Sequence, residues 1–145
     1  MPSSTPSSTV RRQVTADEYR SLAELRYRIR RFIHFSEQAA RASGLEAQQH
    51  QLLLAIKGLP RGESPTISAI AARLVLAHNS TQELVRRAEG RQLVTTRHDL
   101  DDRRQVLVEL TEDGEVALRE LSIAHLEELR SEAVALTDWL AGFAG

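Results

Sequence analysis

The spacing of apolar residues changes twice along this 145-residue chain, and this change limits the folds that the chain can adopt. Apolar residues recur every three or four positions from Leu22 to Ala88, which is typical of amphipathic helices. They alternate with polar residues in 94–98 and again in 106–110, as in half-buried strands. Helical spacing returns after Thr111, which can cap a long last helix. The pattern therefore predicts a mainly helical α+β protein in which two short strands interrupt a series of helices.

Start and stop signals divide the helical part. Thr15-Ala16-Asp17-Glu18 is a capping box that predicts a long first helix over about 15–43. A second helix is expected over about 46–57, and Thr66 can cap a short third one. Asn79 or Ser80 can start a fourth. Residues 1–14 are predicted to be a disordered tail because their first nine are almost entirely Ser, Thr and Pro.

The two alternating segments enclose a charged turn. Residues 99–104 read Asp-Leu-Asp-Asp-Arg-Arg, so the strands on either side predict a hairpin. Two compact helices joined by a short turn are typical of a helix-turn-helix, and an adjacent hairpin makes it a winged one. We expect this motif over about 46–111, within a single domain of residues 15–145.

The segment 99–114 carries a resemblance to a known family. Its sequence, DLDDRRQVLVELTEDG, is similar to the wing of the MarR family of bacterial transcriptional regulators: an acidic D-x-x-D-R-R tip, a strand, Leu-Thr and an acidic helix start ending in Gly. Residues 70–74 resemble the first helix of the family's motif, and 84–94 its recognition helix and exit into the wing. The resemblance implies four helices, the β-wing and two further helices within 112–143, with helices 15–43 and 112–143 forming a dimer interface.

Four positions depart from the family pattern. A capping residue is usual at Ala77, so we expect the recognition helix to start one or two residues later than in relatives. Glycine is frequent at the positions of Val75 and Gln92. Glu83 lies on the recognition helix where a neutral or basic residue is common. These departures leave the set of base-contacting residues open.

The resemblance implies sequence-specific binding to double-stranded DNA. A recognition helix reads the major groove, where each base pair presents a distinct pattern of donors and acceptors. Asn and Gln suit adenine, while Ser, Thr and exposed helical N–H groups suit phosphates. The candidate DNA-binding residues are His78, Asn79, Ser80, Thr81, Gln82, Arg86, Arg87, Arg103 and Arg104. A run such as His-Asn-Ser-Thr is also what an ordinary helix start contains.

Alternatives remain for the arginines. Arg86 and Arg87 can reach phosphates or pair with glutamates of the same helix. Arg103 and Arg104 can enter a narrow A·T-rich minor groove or pair with neighbouring aspartates. In the family one wing arginine tends to pair internally while another faces DNA, and the sequence leaves both open to either role.

The net charge of −1 is the sum of unequal segments. Residues 11–43 hold eight Arg and four acids, 66–104 hold seven Arg and five acids, and 109–145 hold nine acids and two Arg. An acidic end fits a dimerisation region held away from phosphates. The near-neutral total and Glu83 support an alternative function, a winged-helix module that binds other proteins and binds DNA weakly or not at all.

The resemblance further implies a homodimer on a palindromic operator, usually a repressor, released in many relatives by a small molecule. Such a ligand binds in a crevice beside the dimerisation helices. The candidate lining residues are Arg30, His34, Phe35, His50 and Leu54, each of which can instead serve ordinary packing.

Several classes of protein are disfavoured. The chain has no cysteine, which excludes disulfides and thiol-based sensing. Its five histidines lack the spacing of a zinc site, so we expect no metal and no cofactor. G-x-S-x-G, G-x-x-x-x-G-K and H-E-x-x-H are all absent, which argues against an enzyme. No apolar run approaches the roughly 20 residues of a membrane span, so we expect a cytoplasmic protein.

Overall fold

The computed structural model describes residues 11–143 of the chain. The disordered tail predicted for residues 1–14 lies mostly outside this range, and residues 11–15 have no regular secondary structure. The described part contains five helices and two strands. They are α1 Ala16–Ala42, α2 Ala47–Lys57, α3 Ile67–Leu74, α4 His78–Gly90, β1 Val94–His98, β2 Val106–Leu110 and α5 Glu112–Ala141. This order confirms the mainly helical winged helix-turn-helix fold.

Helix α1 begins at the predicted capping box. The Thr15 hydroxyl accepts from the Glu18 backbone N–H at 3.1 Å, and the Glu18 carboxylate accepts from the Thr15 backbone N–H at 3.2 Å. These reciprocal bonds satisfy backbone donors that the first helical turn leaves free.

The described residues divide into two compact units, one ending at His34 and the other beginning at Phe35. In the first unit the apolar side chains of α1 are largely exposed to solvent. They include Leu22, Tyr27, Ile29, Phe32 and Ile33.

The second unit has a hydrophobic core to which all its elements contribute. Leu52 and Leu53 of α2 lie at its centre and are fully buried. Around them pack buried residues from α3, α4, both strands and α5. These are Ile67, Ile70, Leu84, Val85, Ala88, Val94, Val108, Leu118 and Leu121. The core therefore holds the two helices of the motif and the wing against one another.

Strands β1 and β2 form an antiparallel hairpin, paired from Val94 opposite Leu110 to His98 opposite Val106. The backbone N–H of Val108 also donates to the Pro65 carbonyl at 2.9 Å, and Thr66 forms an isolated bridge with Leu107. The wing is thus bonded directly to the residues that precede α3.

The start of helix α5 lies in space beside the residues that follow α4. The Thr111 hydroxyl accepts from the Gly114 N–H at 3.0 Å and donates to the Gln92 carbonyl at 2.6 Å. The Thr111 N–H donates to the Leu93 carbonyl at 3.0 Å. A Cβ atom on Gly114 would overlap the Leu93 carbonyl oxygen. The Leu-Thr-x-x-Gly pattern of residues 110–114 therefore encodes a close approach of two backbone segments.

The prediction of two separate helices within 112–143 is wrong. Helix α5 runs without interruption from Glu112 to Ala141. Residues 115–141 contain no Gly and no Pro and consist mainly of good helix formers, so nothing in this stretch ends the helix. Within residues 11–143, no helix combines the length and apolar character needed to cross a lipid bilayer.

Candidate nucleic-acid interface

The turn between α3 and α4 is held by a residue in a left-handed conformation. Val75 caps α3 with φ 55° and ψ 45°, and the Leu76 N–H returns to the Ala71 carbonyl at 3.1 Å. Val75 is also 89% exposed. A left-handed conformation is unfavourable for a β-branched residue. The tight turn therefore forms although valine stands where the resemblance implies glycine.

The predicted later start of the recognition helix is also wrong. Helix α4 begins at His78, and Ala77 occupies the N-cap position without a side-chain cap. The Ala77 carbonyl accepts from both the N–H and the hydroxyl of Thr81, each at 3.0 Å. These two bonds fix the first turn. His78, Asn79 and Ser80 of that turn are exposed, which leaves their N–H groups available to an anion.

Thr81 lies in the interior of the second unit rather than on its surface. It is fully buried, and its hydroxyl is bonded within α4. The predicted contact of the Thr81 side chain with DNA is therefore corrected: Thr81 lies on the same helical face as Leu84, Val85 and Ala88, which pack in the core.

The outward face of α4 carries three of its polar residues. Successive residues of a helix are rotated by 100°, so Asn79, Glu83 and Arg86 lie opposite the buried stripe. All three are exposed. His78, Ser80 and Gln82 are exposed beside this face.

Glu83 and Arg86 form an ion pair on the outward face. The Arg86 guanidinium donates to the Glu83 carboxylate at 2.6, 2.8 and 3.1 Å. These bonds lower the pKa of Glu83 and raise the pKa of Arg86. Both groups are therefore charged at neutral pH, and the pair has no net charge.

Arg87 faces the N-terminal end of α2. Its guanidinium is 3.4 Å from the Glu46 carboxylate and donates to the Gln48 amide oxygen at 3.2 Å. The expected pairing of Arg87 with a glutamate of its own helix is not found. An open groove lies between the two helices, lined by Gln48, Leu76, Asn79, Ser80, Glu83, Leu84 and Arg87.

Arg91 was not among the predicted site residues, yet it fixes the end of the recognition helix. Its guanidinium donates to the Gly44 carbonyl at 2.6 Å and to the Gln49 amide oxygen at 3.1 Å. The Gln49 side chain is buried and also accepts from the Glu46 N–H at 3.1 Å. Arg91 therefore joins α4 to the loop between α1 and α2. The contacts span more than 40 residues, so no local sequence pattern indicates them.

The two wing arginines differ in their surroundings. Arg104 bonds to the Asp102 carboxylate through its Nε at 3.4 Å and its backbone N–H at 3.1 Å. The Arg103 side chain is exposed and forms no hydrogen bond or ion pair within residues 11–143. The Arg103 carbonyl accepts from His98 Nδ1 at 2.9 Å, which steadies the backbone of the wing tip.

The candidate ligand-binding residues fall into separate surroundings. Arg30 and His34 lie in the first unit and are exposed. In the second unit Leu54 is 45% exposed, while Phe35 and His50 pack against the ring of His125 at centroid distances of 5.2 and 4.8 Å.

His125 was not predicted to belong to this site. Its Nδ1 donates to the Leu121 carbonyl at 2.6 Å, and its Nε2 is 2.8 Å from the Ser36 hydroxyl. Burial and the neighbouring His125 lower the pKa of His50 to about 4. Residues 11–143 contain no group of three or more side chains placed to hold a metal ion.

Comparisons with known proteins agree with this geometry. Residues 43–105 match the sequence model of the MarR family. AbsC, a MarR family transcriptional regulator from Streptomyces coelicolor, is 21% identical with a TM-score of 0.73, over 87% of this chain and 84% of that one. BpsR from Bordetella bronchiseptica is 24% identical with a TM-score of 0.62, over 87% and 99%. CouR from Rhodococcus jostii RHA1 is 20% identical with a TM-score of 0.65, over 92% and 96%.

A search of curated proteins found no significant match. The similarity to known proteins therefore consists of the sequence match over residues 43–105 and the shared fold. The chain therefore has the fold of MarR family transcriptional regulators, and its residues 43–105 match that family's sequence model.

Proposed function

We propose that the protein is a non-enzymatic transcriptional repressor that binds a palindromic operator as a homodimer. The observation that carries this proposal is that the exposed outward face of α4 occurs together with Arg103 at the wing tip, whose side chain forms no hydrogen bond or ion pair within residues 11–143. DNA binding of BpsR is regulated by 6-hydroxynicotinic acid, and CouR has been solved with p-coumaroyl-CoA. These relatives support a DNA-binding function that a small molecule controls.

Helix α4 enters the major groove in the proposed complex. Asn79 contacts a base edge, for which adenine offers the matching donor and acceptor. His78 and Ser80, together with the free N–H groups of the first turn, contact phosphates and set the register. Gln82, Arg86 and Arg87 lie further along or beside this face and complete the contact set.

Arg103 enters the adjacent minor groove. A narrow A·T-rich groove has an enhanced negative potential that attracts a guanidinium. Arg104 has the different role of holding the wing tip through Asp102. This division assigns the two roles that the sequence left open.

A second copy of the chain covers the exposed apolar residues of α1 and α5. Those of α5 are Val116, Ile123, Leu126, Leu129, Val134 and Leu140. A dimer with two-fold symmetry presents two recognition helices about 34–36 Å apart, one turn of DNA. The nine acids and two arginines of 109–145 then lie away from the DNA-binding surface.

Release by a small molecule acts through the second unit in this proposal. Phe35, His50 and His125 form a compact cluster of rings in which a ligand would displace or reorient a side chain. Leu54 remains a candidate for the same ligand, and Arg30 and His34 of the first unit remain candidates by themselves. Isothermal titration with aromatic carboxylates, followed by the DNA-binding assay, tests this part of the proposal.

The central experiment is a gel-shift titration with the DNA that flanks the protein's own gene, at low salt. We expect a discrete complex of dimer stoichiometry whose affinity falls steeply as salt is raised to about 0.5 M, because phosphate contacts release counterions. Arg103→Ala weakens binding while leaving thermal unfolding unchanged. Arg104→Ala weakens DNA binding less, and it does so because the wing tip loses the side-chain bond of Arg104 to Asp102.

Two results would contradict the proposal. A stable monomer in gel filtration and scattering would exclude the dimer. A protein that binds neither this DNA nor random duplexes would favour the protein-interaction module instead, a function consistent with a carboxylate at the centre of the outward face.

A further inference from the structure

We infer that Glu83 determines specificity, by accepting a hydrogen bond from a cytosine N4 amino group while it restrains Arg86 from binding phosphates. This inference rests on the proposed function, since it requires α4 to enter the major groove. It assigns a role to the one acid on the outward face of the recognition helix.

The first argument is position. Glu83 lies one helical turn after Asn79 and shares the outward face with Arg86. Its side chain is 48% exposed, and that of Arg86 is 75% exposed. A helix that presents Asn79 to a base edge brings Glu83 to the floor of the same groove.

The second argument is charge. Since Arg86 is bonded to Glu83 at three short distances, its guanidinium is not free to approach a phosphate without breaking those bonds. The outward face therefore has little net charge. Such a face gains little from the backbone of an arbitrary duplex, because non-specific affinity comes from phosphate neutralisation. The pair thereby suppresses binding to the wrong DNA.

The third argument is the chemistry of base edges. An ionised carboxylate only accepts hydrogen bonds. Guanine presents two acceptors in the major groove and thymine one, so both oppose Glu83. Adenine has an amino donor but also the N7 acceptor beside it, whereas cytosine offers the N4 donor alone. Cytosine is therefore the base from which the Glu83 carboxylate accepts a hydrogen bond.

Arg86 completes the recognition of the base pair. Guanine O6 and N7 are the preferred partners of an arginine in the major groove. A guanidinium held beside the carboxylate is placed to donate to the guanine of the same or the next base pair. The ion pair thus reads a C·G pair as a unit, and both charges keep a partner in the complex.

The test compares wild type, Glu83→Gln and the control Glu120→Gln, each titrated against a panel of operators with every base substituted in turn. Glu120 is an exposed acid on α5, so its replacement makes the same change in net charge away from DNA. We expect wild type to prefer cytosine by about 10-fold at one position per half-site. Glu83→Gln reduces this preference to less than about 3-fold, because an amide both donates and accepts.

A random duplex provides the second readout. Freed Arg86 should raise the non-specific affinity of Glu83→Gln several-fold and steepen its salt dependence by about one phosphate contact. Glu120→Gln should match wild type in both assays. Thermal unfolding of all three proteins checks that the exposed substitutions leave the fold unchanged.

The outcomes separate this inference from the proposed function. Wild type that binds no DNA overturns both. Wild type that binds its operator with the same base preference as Glu83→Gln overturns only the role of Glu83. A Glu120→Gln variant that gains non-specific affinity equally assigns the effect to net charge and also refutes the inference.

Discussion

Replacing Val75 with glycine is expected to stabilise the protein. Val75 has φ 55° and ψ 45°, and a left-handed conformation costs a residue with a Cβ about 1–2 kcal/mol. Because the side chain is 89% exposed, its removal sacrifices almost no buried surface. Glycine loses about 0.5–1 kcal/mol more backbone entropy on folding. The difference is a gain of about 0.5–1 kcal/mol in the free energy of unfolding.

Urea denaturation followed by circular dichroism measures this gain. An increase of that size corresponds to a rise of about 1–4 °C in Tm for a chain of this length. Leu100→Gly is the matched control, since Leu100 is 84% exposed and does not have a positive φ. The control should be neutral or destabilised. If Val75→Gly raises the urea midpoint no more than Leu100→Gly does, the left-handed conformation of Val75 does not destabilise the protein.

Three other predictions test features of the second unit. Gly114→Ala should destabilise the protein by about 3 kcal/mol or more, because the new methyl group overlaps the Leu93 carbonyl and two backbone segments must separate. Arg91→Ala should lower the urea midpoint by the equivalent of about 1–3 kcal/mol, since it leaves a buried amide oxygen without its cationic donor. The third concerns His50, whose folded pKa of about 4 lies below its ordinary 6.5. The unfolded chain binds this proton more readily, so the free energy of unfolding should fall as the pH drops from about 6.5 to about 4, by at most about 3 kcal/mol.

Each of these predictions has a control. Gly90→Ala places a methyl group in open space on α4 and should be tolerated. Arg91→Lys keeps one charged donor and should recover part of the loss. His50→Gln should flatten the pH profile between 6.5 and 4 relative to wild type. An unchanged profile would show that other groups cause the acid sensitivity, and an unchanged midpoint for Gly114→Ala would mean that the two segments are not in close contact.

Local patterns predicted the fold well because the interactions they encode are themselves local. The capping box at Thr15, the cap at Thr66 and the start of α5 at Thr111 each join residues three positions apart. Within residues 11–143, the non-glycine residues with positive φ are Val75 and Gln92, the positions where the resemblance implies glycine. Both positions have the left-handed conformation that glycine adopts without a steric cost.

The candidate site was less predictable from sequence. The burial of Thr81 follows from the spacing of residues 81, 84, 85 and 88, which form one helical stripe, whereas its hydroxyl alone favours a contact with DNA. Arg103 and Arg104 are adjacent and identical in sequence terms, and only the turn geometry distinguishes their surroundings. The bonds from Arg91 to Gly44 and Gln49 depend on the packing of α4 against α2, which no short pattern contains.

The start of α5 also has a mechanical consequence. Thr111 is bonded to both Gln92 and Leu93, the residues that leave the recognition helix, so a rotation of α5 at its first turn displaces them directly. Helix α5 has 30 residues, and its length is therefore about 45 Å. A tilt of about 5° at Thr111 moves the far end by about 4 Å over that length. A shift of about 4 Å at the distal end of α5 therefore corresponds to a change of only about 5° in its direction at Thr111, beside the residues that follow α4.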